Sequence, residues 1–146
     1  MGMTLVSKTQ QTTTGSPVIA VWKWLVGPLH HRVVHALRQA AERHDPVGVA
    51  KLLDPDVAVV VDSGDIEHPT IRVVRGRYDA AVLLLHGLTS RPPFDLAVRS
   101  INGQAGLTLS HGGRVTAALN IDFTAGAISG IWVRLQPEMM RNWNTL

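Results

Sequence analysis

The sequence predicts an α+β domain, with helices first and an antiparallel meander after them, shaped around a small apolar pocket. Three observations carry this expectation. Apolar residues recur at helical spacing in the first third of the chain. β-branched runs and two-residue alternation replace that period after residue 56, and glycine-bearing turns separate four strand-like segments after residue 93.

The elements follow in order. Residues 1–15, MGMTLVSKTQQTTTG, are polar and threonine-rich, so a disordered leader is expected there and a single domain over 16–146. The stretch 16–29 is apolar but is interrupted by Lys23, Gly27 and Pro28, and it falls short of the roughly 20 residues of a membrane span. Over 30–43, Val33, Val34, Leu37, Ala40 and Ala41 share one helical face, with Arg32, Arg38, Glu42 and Arg43 opposite. Asp45 before Pro46 reads as an N-cap followed by proline at the first helical position, opening a short helix to Leu53 that the DPD of 54–56 ends. A buried strand over 57–61 closes in the turn residues Asp62, Ser63 and Gly64. A second strand over 70–74 follows the loop of His68 and Pro69. Gly76 then breaks the chain before a third helix over 78–87, on Ala80, Ala81, Leu84 and Leu85. Strands are expected over 94–101, 107–110, 114–123 and 127–135, separated by the hairpin turns NGQAG, HGG and TAG.

Composition narrows the function classes. The net charge of +3 is spread from Lys8 to Arg141, densest at Arg72, Arg75 and Arg77, so the concentrated basic face of a nucleic-acid binder is missing. Without cysteine there is no disulfide, thiolate metal site or thiol nucleophile. Charged residues are 17% of the chain, against about 25% in an average domain, which points to a covered surface such as a subunit interface. No phosphate loop, dinucleotide fingerprint or nucleophile elbow is present. A cytoplasmic location is expected, since one positive charge precedes residues 16–29 and no small-residue cleavage site follows them.

Three segments carry a family resemblance: LLDPDVAVVVDSGD, VVRGRYDAAVLLLHGL and INGQAGLTLSHGGRVTAALNIDFTAGAISGIWVRLQPEMM. They resemble the SnoaL-like branch of the NTF2-like superfamily, and most closely the C-terminal accessory domain of one group of extracytoplasmic-function sigma factors. The similarity runs over residues 35–141, and NGQxGL is its most specific piece. It implies a cystatin-like cone, in which a strongly curved, mainly antiparallel sheet wraps a long helix and leaves an apolar pocket. Two regulatory landmarks of the sigma-factor domains are altered: residues 62–66 stand in place of a DGGGK-like turn, and residues 136–139 in place of an NPDK-like segment. The promoter-binding regions have no counterpart in the sequence, so a freestanding relative is expected. The resemblance implies a cofactor-free protein that binds a small apolar, polyketide-type molecule, with cyclisation, isomerisation or epoxide opening as its candidate reactions. The alternatives are a non-catalytic regulatory or protein-interaction module and a dimeric carrier.

Strand alternation sorts the candidate residues, because positions two apart share a face. Phe94, Leu96, Val98, Val115, Ala117, Leu119, Ile121, Phe123, Ile131, Val133 and Leu135 form an apolar face expected to line the cavity. Of these, Phe94, Leu96, Leu119, Phe123 and Ile131 are the expected ligand contacts, joined by Tyr78, the single tyrosine. Arg99, Asn120, Asp122, Trp132 and Arg134 fall on the other face, where an aromatic framed by arginine and asparagine has the composition of a homodimer interface. Relatives use an aspartate or a histidine in the cavity as general base, and the resemblance makes Asp62 the candidate here, with His68 or Tyr78 orienting the substrate. The plainer readings beside these are a turn-capping carboxylate for Asp62 and an exposed loop imidazole for His68. His31 and His35 have metal-ligand spacing but no third ligand, so no metal is expected; His86 ends a helix and His111 sits in a hairpin turn. Trp22 and Trp24 are expected to cover one end of the cone, and Trp143 lies in the tail.

Overall fold

The computed structural model of the chain describes residues 17–89 and 94–136, with side chains from residue 29 onward. The expected leader, Trp143 and the side chains of Trp22 and Trp24 lie outside the described residues. Helix α1 spans Pro17–Glu42 and α2 Pro46–Leu52. Strands β1 (Leu53–Asp62) and β2 (Ile71–Arg75) follow, then helix α3 (Arg77–Leu88). The meander is β3 (Asp95–Ile101), β4 (Gln104–His111), β5 (Arg114–Thr124) and β6 (Ala127–Leu135).

One six-stranded sheet results, in the order β2-β1-β6-β5-β4-β3. The β1–β6 pair is parallel and every other pair antiparallel. Helix α1 lies on β3 and β4, α3 lies over β1 and β2, and α2 bridges the two helices. Between these layers Leu37, Leu53, Leu83, Leu84, Leu107, Leu109, Leu119 and Ile128 are wholly buried, each contributing about 1.5–3 kcal/mol of transfer energy.

Two expectations of extent are corrected. The first helix begins at Pro17 rather than near residue 30 and runs unbroken through Gly27 and Pro28. Pro28 cannot donate to the carbonyl one turn earlier, so continuity there comes from the neighbouring turns. The DPD segment belongs to β1, not to a loop. Pro55 has no amide hydrogen, and it sits where the β1–β6 register slips between Leu53 and Ala58.

Irregularities in pairing bend the sheet. On β5 one extra residue lies between Val115 and Ala117, opposite Ser110 and Leu109; on β6 one lies between Ile128 and Gly130, opposite Phe123 and Asp122. Bulges of this kind increase local twist and curve the strand that carries them. The β5 bulge also reverses parity at its start, so Val115, expected on the apolar face, is 46% exposed.

Candidate functional site

On the concave side, between α1 and the sheet, the expected alternation holds for the middle of the meander. Leu96, Ala117, Leu119, Ile121, Ile131, Val133 and Leu135 are all buried. One polar ring shares that space. His30 continues the buried stripe of α1 (Val34, Leu37, Ala41) by one turn, and only 8% of its surface is exposed. Its Nε2 donates to the carbonyl of Ala105 on β4 at 3.1 Å, and its ring lies 6.2 Å from that of Phe123 on β5. A carbonyl oxygen only accepts, so Nε2 carries the proton and, in the neutral ring, Nδ1 holds the lone pair. His30 stands at the edge of the apolar period of α1, and its signal in the sequence is its spacing of four from Val34.

The expected ligand contacts do not form one site. Leu96, Leu119 and Ile131 are packed into the core, whereas Phe94 and Phe123 are half-buried at opposite ends of the sheet. Val98 is level with Leu107, and Leu107 with Leu119. Phe94 lies four residues before that level and Phe123 four after it, an offset of about 26 Å along the strands. Phe94 instead meets His111 edge-on, with ring centroids 5.5 Å apart. Tyr78 is 73% exposed on α3 and lines a surface groove against α2.

Asp62 falls on the outer face of the sheet. Val57, Val59 and Val61 of β1 turn inward and are fully buried, so Asp62 follows Val60 to the other side. Its Oδ1 accepts from the Gly64 amide at 3.0 Å, and its Oδ2 lies 3.5 Å from the Arg134 guanidinium, its cross-strand neighbour. His68 sits in the following loop with 84% of its side chain exposed, 3.8 Å from Asp65. The buried Ser63 hydroxyl holds that loop by accepting the amides of Asp65 and Thr70. Asp62 and His68 are thus placed by one turn, outside the space that His30 and Phe123 share.

The outer face gathers the remaining candidates. Val73, Val60, Trp132 and Asn120 form one row across four strands; Ile71, Asp62, Arg134, Ala118, Thr108 and Ala97 form the next across all six. Ile71, Val73 and Trp132 are 57%, 48% and 42% exposed, an apolar strip with the Asp62–Arg134 pair along its edge. Arg99 and Asp122 lie on the same face, opposite Gly106 and Gly130. On α1, His31 and His35 bond to each other, Nε2 to Nε2, at 2.9 Å. Among the described residues no three histidines or carboxylates group as metal ligands, and no helix is long and apolar enough to cross a membrane.

Neither a protein-family model nor a curated protein matches the chain. Solved structures do. A bacterial protein of cystatin-like fold from Silicibacter pomeroyi DSS-3 is 17% identical, with a TM-score of 0.60 over 83% of this chain and 87% of that one. The extracytoplasmic function sigma factor SigJ of Mycobacterium tuberculosis is 26% identical, with a TM-score of 0.56 over 85% of this chain. The chain spans about half of SigJ, 48% of its length. A putative polyketide cyclase from Xanthomonas campestris pv. campestris is 18% identical, with a TM-score of 0.56 over 78% of this chain and 95% of that one. The curved six-stranded sheet, the long helix in its concavity and these likenesses give the chain the cystatin-like, NTF2-like cone as its fold.

Proposed function

We propose that this protein binds a small apolar molecule of polyketide type on the concave side of its sheet, at the end marked by His30 and Phe123. The observation that carries this reading is a buried imidazole on the apolar stripe of α1, beside a half-buried aromatic ring. Such a surface favours a largely apolar ligand and offers it one polar contact. Likeness in fold to the putative polyketide cyclase adds support. Within this reading His30, not Asp62, is the group that receives a proton from the bound molecule, because Nδ1 is the ring's basic nitrogen. The Ala105 carbonyl then fixes the tautomer and the orientation of the ring.

The test is an NMR titration with 2-acetylnaphthalene, an aromatic ketone, on the full chain. Expected shifts concentrate on His30, Ala105, Phe123 and Ile128, and His30→Leu weakens binding or abolishes any turnover, by about 10² or more if the ring is a general base. Asp62→Asn, which keeps the turn acceptor, leaves both unchanged. The opposite pattern, loss with Asp62→Asn and none with His30→Leu, returns the role to the outer turn and overturns the assignment.

A second reading rests on a separate observation, the exposed strip of Ile71, Val73 and Trp132 beside an ion pair. We propose that this face seats a second copy of the chain, with Trp132 at its centre.

A further inference from the structure

The groove between α2 and α3 lies on the helical side of the molecule, apart from both surfaces above. Its volume is about 280 Å³, and its walls are Pro46, Val47, Ala50 and Lys51 from one helix and Arg77, Tyr78, Ala81 and Val82 from the other. Both helices present residues at i, i+3 and i+4: Val47, Ala50 and Lys51 face Tyr78, Ala81 and Val82. Two such rows side by side make a trough with a small-residue floor of Ala50 and Ala81. The walls are unusually apolar for a surface, with Val47 62%, Tyr78 73% and Val82 52% exposed. The charged lining residues, Lys51 and Arg77, are both cations. Arg77 is anchored by its Nε, which donates to the Leu53 carbonyl at 3.0 Å, so its charge is held at the rim.

We infer that this groove docks an amphipathic helical segment of a partner protein whose apolar face is flanked by carboxylates. Parallel i, i+3, i+4 rows suit the matching spacing of an incoming helix, small residues at the floor let its backbone approach, and the two rim cations select acidic flanks. The trough is concave, which favours a chain segment over a flat bilayer. Asp79 lines an adjoining hollow with Arg77 and Tyr78 and not the groove itself, so incoming carboxylates are matched to the Lys51 and Arg77 rim rather than to that end.

The test is fluorescence anisotropy of the full chain with a labelled helical peptide about four turns long, leucine at i, i+4, i+7 and i+11 and glutamate beside each. A peptide with lysine in place of glutamate is the control. The acidic peptide is expected to bind about fivefold more tightly, the upper end of one exposed charge pair's worth, and Lys51→Glu, which sets a carboxylate beside the remaining Arg77, to abolish that preference. Val82→Asp, at a half-exposed position that leaves the circular dichroism spectrum unchanged, removes binding of both. No binding, equal binding of the two peptides, or indifference to Lys51→Glu overturns the inference. Capture of equimolar phosphatidylcholine and phosphatidylserine vesicles without the peptide overturns it in favour of a membrane surface.

Discussion

At Gly64 the backbone stands at φ +73°, and a Cβ there would collide with the carbonyl oxygen of Leu135 at the end of β6. Two costs coincide: a conformation that L-residues rarely adopt and a steric conflict with backbone that cannot rotate away. Gly64→Ala is expected to lower stability by about 1–3 kcal/mol, read as a lower urea midpoint at unchanged slope. It would also displace the Asp62 and His68 turn without touching His30. The turn itself was legible, because Asp-Ser-Gly after a β-branched run is turn chemistry in any context. The direction of Asp62 was not. It depends on counting inward from Val61, and the sequence does not say on which side of β1 the helices lie.

Element boundaries divide in the same way. Asp45 caps α2 through a 2.9 Å bond from the Gly48 amide, with Pro46 behind it at the first helical position. Asp45→Ala is expected to cost about 1 kcal/mol, measured by thermal or urea unfolding, and to loosen the α2 wall of the groove it shares with α3. That cap was readable because the interaction is local, spanning three residues. The start of α1 and the end of α2 were not. Gly27 and Pro28 argue against a helix, yet α1 runs through them; the DPD of 54–56 argues against a strand and was overridden by the pairing of β1 with its neighbours.

For the whole molecule, the parallel β1–β6 pair decides what faces what. It sets Val60 beside Trp132 and Asp62 beside Arg134, joining a strand from the first half of the chain to the last strand of the meander. Through that pairing the exposed valine and isoleucine of β2 become continuous with Trp132, an area suited to self-association. Trp132→Asp is therefore expected to weaken the proposed self-association by about thirtyfold or more, as loss of a central aromatic anchor does, and to leave the proposed ketone binding at His30 unchanged. Size exclusion with light scattering across a dilution series reads it, and a monomeric wild-type chain at micromolar concentration would remove the dimer from the account. By itself the sequence determined the α+β class, the strand and turn order of the meander, the α2 cap and the two-faced character of the sheet, because all of these rest on neighbours within a few residues. Only the tertiary structure decided the rest: that His30 enters the concave side, that Phe94 and Phe123 lie too far apart to share a ligand, and that Asp62 and Tyr78 face outward. The strand positions depend on register and bulges between strands distant in sequence, where a slip of one residue exchanges the faces, and the helical ones on which side each helix turns to the sheet.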